Sequence, residues 1–95
     1  MQTEFFKNWL KVTKSFSDHI IACRISDCRR VEKYYGDLDK IIEENGQDWL
    51  LNELSYSAQN EKNQDIPKIP IKGNIRNSYA CMKKAVKLYF MVYED

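Results

Sequence analysis

Turn-forming residues are scarce in this chain. Three glycines and two prolines in 95 residues leave few reversal points, which favours long helices joined by a handful of connections over many short strands. No stretch approaches the roughly 18 apolar residues of a membrane span. The amino terminus, Met1-Gln-Thr-Glu-Phe-Phe, lacks the basic-then-apolar order of a signal peptide. A cytoplasmic chain is the expectation. Net charge is nearly absent: 15 basic against 14 acidic residues leave +1, which argues against clamping onto nucleic acid by bulk charge. Histidine occurs once, at His19, and no C-x-x-C pair is present, so a four-ligand zinc site would need carboxylates. Cys23, Cys28 and Cys81 read as buried free thiols in a reducing compartment.

What the chain has in quantity is ring area. Six tyrosines, four phenylalanines and two tryptophans, within a 43% hydrophobic composition, can fill one core of ordinary size. The fold expected is all-α, a bundle of four to five helices in a single domain over 1–95, the amino-terminal part of a longer protein.

Helical periodicity supports this. Thr3 is placed to cap a first helix carrying Phe6, Trp9 and Leu10, with Lys7, Lys11 and Lys14 on another stripe. Ser17 should cap a second helix from about Asp18 to Tyr35, where Ile21, Ile25, Cys28, Val31 and Tyr35 fall along one face. Gly36 ends it. Asp37 then caps a short helix over Leu38 to Glu44, broken by Asn45-Gly46. Asp48 caps another, carrying Trp49, Leu50, Leu51, Leu54 and Ala58. Asn60 to Asp65 reads as a polar loop. Ile66-Pro-Lys-Ile-Pro-Ile71 reads as an extended segment, which either tucks its isoleucines into the bundle or offers them to a partner. Asn74 caps the last helix, Ile75 to about Glu94. Ile75, Tyr79, Met82, Val86, Tyr89 and Tyr93 form one apolar stripe of it, and Cys81, Ala85, Leu88 and Val92 a second, roughly opposite. A helix apolar on two sides is either central in its bundle or covered by something outside it.

A search for catalytic groups returns little. Asp37 and Asp39 are explained by capping, and Glu43 and Glu44 point about 100° apart on a helix. His19 and Cys23, one turn apart, have the spacing of a Cys/His dyad or half a metal site; the plainer alternative is two neighbours at the core margin. The glycines are isolated, with no phosphate-cradling loop. The chain is not expected to be an enzyme, and no cofactor is called for.

The charges are segregated. Lys7, Lys11 and Lys14; Arg24, Arg29, Arg30 and Lys33; and Arg76, Lys83, Lys84 and Lys87 lie on the first, second and last helices. Asp37, Asp39, Glu43, Glu44, Asp48 and Glu53 form an acidic middle. The basic helices either present one positive face to phosphates or are ordinary solvated faces.

Phe5-Phe-Lys-Asn-Trp9-Leu10, the Ser17-capped helix ending at Tyr34-Tyr35, the short Asp37-Leu-Asp helix, the leucine-rich helix and the long final helix follow one another in a familiar order. That order resembles the amino-terminal, SAM-like core-binding domain of phage integrases and other tyrosine recombinases. Tyr35-Gly-Asp-Leu-Asp39 and the final helix, Asn74-Ile-Arg-Asn-Ser-Tyr79 through Lys83-Lys-Ala-Val86, also look like small helical domains that precede nucleases in bacterial restriction and defence proteins. The resemblance implies a bundle that clamps one side of double-stranded DNA while a separate carboxy-terminal catalytic domain cuts it. Carried over, the phosphate contacts would be Arg24, Arg30, Arg76, Lys83 and Lys87. The low net charge and the Ile-Pro-rich connection depart from that family. The alternative is a protein-interaction module, a docking domain or small inhibitor, using Cys81, Ala85, Leu88 and Val92. Self-association through that stripe would make a homodimer.

Overall fold

Ser17 starts the longer of the two amino-terminal helices: its Oγ accepts the Ile20 N–H at 3.4 Å, satisfying one donor that the first turn leaves open. A computed structural model describes residues 1–56, 62–63, 68–71 and 73–94, and the following refers to these. Five helices are present among them: α1 (Thr3–Val12), α2 (Asp18–Tyr35), α3 (Leu38–Glu44), α4 (Gln47–Glu53) and α5 (Ile75–Glu94). No strand occurs among the described residues, so the fold is an all-α bundle. Its radius of gyration is 13.5 Å, close to the ~13 Å of a folded chain of about 100 residues.

Local signals set most of the boundaries. Gly36 closes α2 with φ 104° and ψ −178°, a region that is essentially glycine-only, and its N–H donates to the Glu32 carbonyl at 2.9 Å. A Cβ at this position would meet no neighbour within 4 Å, so only backbone strain opposes substitution. Gly36→Ala is therefore expected to cost about 1–3 kcal/mol, read as a lower urea midpoint with an unchanged slope. Asp37 Oδ1 accepts the Asp39 N–H at 3.2 Å to open α3. Asn74 Oδ1 accepts the Asn77 N–H at 3.0 Å to open α5.

Two starts differ from expectation. Thr3 is the first helical residue, and Gln2 precedes it without a side-chain cap. Tertiary contacts take over there: the Gln2 N–H donates to the Tyr89 hydroxyl at 2.9 Å, while its carbonyl accepts the Phe6 N–H. Gly46, not Asp48, precedes α4, at φ 85°. The Asn45-Gly46 turn lets the helix begin at Gln47, two residues earlier than a cap at Asp48 implies. It ends at Glu53, short of Ala58, which lies outside the described residues, as does most of the polar loop. α1 stops at Val12, with Lys14 beyond its end. Lys14 thus leaves the stripe of Lys7 and Lys11, and its Nζ sits 5.5 Å from the Trp9 ring centroid.

The core joins all five helices and one connection. Phe6 and Leu10 of α1, Ile21, Ile25, Cys28 and Val31 of α2, and Tyr79, Met82, Val86 and Tyr89 of α5 are buried in a single cluster. Leu38, Ile41, Leu50 and Leu54 cover it from α3, α4 and the end of α4. Ile69 is fully buried and its N–H donates to the Tyr79 hydroxyl at 3.1 Å. Of the two placements open for the Ile-Pro segment, packing against the bundle holds at Ile69.

α5 contacts α1, α2 and α4, which explains its two apolar stripes. Ala85 and Val92 of the second stripe are buried at 0% and 4%, inside this chain's own core. Phe90, on neither stripe, is buried as well. The second stripe is thus not an open docking face: Ala85 and Val92 cannot touch a partner without opening the bundle, and Cys81 and Leu88 are half-buried. Of the two explanations for such a helix, the central position applies.

Candidate anion-binding groove

α2 buries one side and turns the other to solvent. Arg29, Arg30 and Lys33 are exposed, spaced so that they follow the outward side of the helix. Among the described residues none of these three, nor Lys7 or Lys11 of α1, has a carboxylate oxygen within 4 Å. The ion pairs gather instead around the Met1 ammonium, with Glu32, Asp37 and Asp39. The cations on α2 are left available.

Beside them runs a groove of about 570 Å³ between α2, the Pro70-Ile71 connection and the first turn of α5. Its lining is Ser26, Arg29, Arg30, Lys33, Tyr34, Pro70, Ile71 and Ser78. Among the described residues of the lining, three cations, two serine hydroxyls and no carboxylate form a set suited to phosphate oxygens, because every charged group in that set is a donor. Ser26, Arg30 and Ser78 also line an adjoining groove with Arg24, His19 and Asn77. The Arg24 Nε is buried and has no hydrogen-bond partner among the described residues, a donor still lacking an acceptor. Asp27 shares this second groove. Burial raises its carboxyl pKa above the ordinary value, and the nearby Arg24 and Arg30 charges offset only part of that.

The five expected phosphate contacts are divided by this geometry. Arg24 and Arg30 come together in the grooves between α2 and α5. Arg76, Lys83 and Lys87 occupy a stripe on another flank of α5, about 160° around the helix from Ser78 by the ~100° step per residue. There the Lys83 Nζ donates to the Ser55 hydroxyl at 3.0 Å, and Lys87 lines an apolar groove with Leu51, Leu88, Phe90 and Met91. One flat ligand surface does not reach both sets. Arg29, Lys33, Ser26, Ser78 and Tyr34, which complete the cationic groove, were not among the expected phosphate contacts. Arg29 and Lys33 carried the signal as cations four apart on an exposed helix side, whereas Ser78 reaches the groove only through the packing of α5 on α2.

The thiols divide as well. Cys28 is buried, and burial pushes its pKa up to about 12, leaving it inert as a nucleophile. Cys23 is exposed rather than buried, with its Sγ 3.9 Å from the His19 Nε2. The pair is thus on the open side of α2, not at the core margin. No group of three or more potential metal ligands occurs among the described residues. No helix among the described residues is long and apolar enough to cross a membrane.

These features define a class, a small all-α bundle with a segregated cationic groove. No protein-family model, curated protein or solved structure matches the chain.

Proposed function

We propose that this chain is a non-catalytic, cytoplasmic DNA-binding domain that holds the phosphate backbone through the face formed by α2 and the start of α5. The observation that carries the reading is the groove of Arg29, Arg30 and Lys33, with no carboxylate among the described residues of its lining. Arg24 and Arg30 extend the face into the adjoining groove. The resemblance to the SAM-like domains of tyrosine recombinases and to the helical domains of restriction proteins supports the same role. In such an arrangement a separate catalytic domain supplies the chemistry.

The physical mechanism is charge neutralisation. Guanidinium and ammonium groups displace counterions condensed on the backbone, and the entropy of their release drives binding. Bulk charge of +1 does not prevent this, because Glu32, Asp37 and Asp39 are gathered around the Met1 ammonium, which offsets part of their charge.

The test is fluorescence anisotropy of labelled DNA at several salt concentrations. Three to four phosphate contacts give a log–log salt slope of about −3. Arg29→Glu, Arg30→Glu and Lys33→Glu should each weaken binding and flatten the slope by about one unit. Arg76→Glu and Lys87→Glu, on the other flank, should have much smaller effects. An absence of binding at low salt would sink the proposal. The remaining reading would then be a protein-docking module centred on the apolar groove of Leu51, Leu88, Phe90 and Met91, where Met91 is 45% exposed.

A further inference from the structure

The cationic groove is not purely polar. Tyr34, Pro70 and Ile71 form part of its lining. Tyr34 and Ile71 are half-buried and pack against the core, so part of the ring rests on the bundle. The Lys33 Nζ lies 5.6 Å from the centroid of that ring. An aromatic face, an apolar shelf and three cations therefore open into one recess.

A duplex makes poor use of this combination. Its bases are stacked on one another and its outer surface offers phosphates and sugars, which need donors but no ring. An unpaired strand presents both halves at once, a phosphate path for the cations and bases with free π-faces for an aromatic platform. Positive grooves with aromatic platforms are the common design for holding single strands, and arginines at the rim add cation–π contacts to the bases. Ser26 and Ser78 place hydroxyls beside the same path.

We infer that the groove between α2 and α5 holds single-stranded nucleic acid in preference to duplex, with a base stacked on Tyr34 and its flanking phosphates on Arg29, Arg30 and Lys33. This rests on the nucleic-acid reading given above and narrows its ligand. The base is recognised by its face rather than its edges, so sequence preference is weak.

The experiment compares a labelled oligothymidylate with a hairpin duplex of equal phosphate number, titrated with the whole chain. The single strand should bind several-fold more tightly. Tyr34→Leu keeps apolar volume against the core but removes the π-face. It should weaken single-strand binding by about five- to 150-fold and duplex binding several-fold less, while Tyr34→Phe retains wild-type affinity. A 2-aminopurine probe in the strand should be quenched by wild type and not by Tyr34→Leu. Circular dichroism of each variant separates a lost platform from a lost fold. Equal or tighter duplex binding, or the same loss on both ligands with Tyr34→Leu, overturns the inference and leaves the broader reading standing. If Arg29→Glu, Arg30→Glu and Lys33→Glu change binding of neither ligand, the broader reading falls with it.

Discussion

Phe6→Ala is expected to lower the stability of this domain by about 3–5 kcal/mol, the range for removing a fully buried phenylalanine. Phe6 is 0% exposed, and its ring meets Tyr89 edge to face, with centroids 5.2 Å apart and an interplanar angle of 85°. Truncation loses the burial, opens a cavity and removes a ring pair worth a further ~0.5–1.5 kcal/mol. The damage would also spread. The Tyr89 hydroxyl donates to Asp39 and accepts the Gln2 N–H, so a ring that loses its neighbour loosens the junction of α1, α3 and α5. A domain of this size has roughly 5–10 kcal/mol in total, so the variant should be partly unfolded near physiological temperature. Urea denaturation followed by far-UV circular dichroism measures it. Phe5→Ala is the control: Phe5 is adjacent but 60% exposed, and its loss should cost well under about 1 kcal/mol. Equal effects at both positions would mean that α1 does not pack as described.

The second large effect concerns the amino group of Met1. Its nitrogen donates to Glu32 Oε2 at 2.9 Å and to Asp37 Oδ1, with Asp39 Oδ2 at 3.9 Å. Glu32 Oε2 also accepts the Leu38 N–H at 3.0 Å. One cation therefore ties the end of α2 to the start of α3, and without it three carboxylates would face one another. Acetylating this group on the 95-residue chain should cost about 1–3 kcal/mol, the worth of hydrogen bonds to charged partners.

The pH profile gives an independent check. Burial pulls the pKa of the ammonium down, but the bonds to Asp37 and Glu32 and the Glu32 and Asp39 charges outweigh it, so the value rises above 8.0. Its stabilisation is then complete below pH 8 and is lost as pH climbs through the raised value. Asp37 moves the other way: its bond to the terminus leads in holding it below 3.8. Its contribution is present above that pH and fades as pH falls through the lowered value. Half of the Asp37 side chain is solvated, which makes the acid limb shallower. Melting temperature against pH should thus show a plateau between these limbs, and acetylation should lower the plateau and flatten the alkaline limb. Identical profiles for free and acetylated chains would show that the cluster contributes nothing.

Short-range chemistry explains why so much of the helical framework was legible in the residues. Ser17, Gly36, Asp37 and Asn74 act within a few positions of themselves, through a side-chain oxygen or an absent Cβ, and α2, α3 and α5 begin and end as their patterns require. The buried stripe of α5 from Tyr79 to Tyr89 was likewise readable, because a helix of fixed period aligns residues that are close in sequence. The start of α1 was not, since it depends on Gln2 reaching Tyr89, 87 positions away.

The all-α class, the helix order and the charge segregation were thus decided by the sequence alone, through local propensity, capping and periodicity. Which face of each helix is free was decided only by tertiary packing. Periodicity marks Ala85 and Val92 as apolar but does not say whether this chain or another covers them, and α5 proves central. Spacing marks Arg24, Arg30, Arg76, Lys83 and Lys87 as cations, yet the seating of α5 against α2 sends the first two to one flank and the other three to another. Only that same seating brings Ser78 and Ile71 beside Arg29, Arg30 and Lys33, because a groove between helices belongs to neither helix by itself.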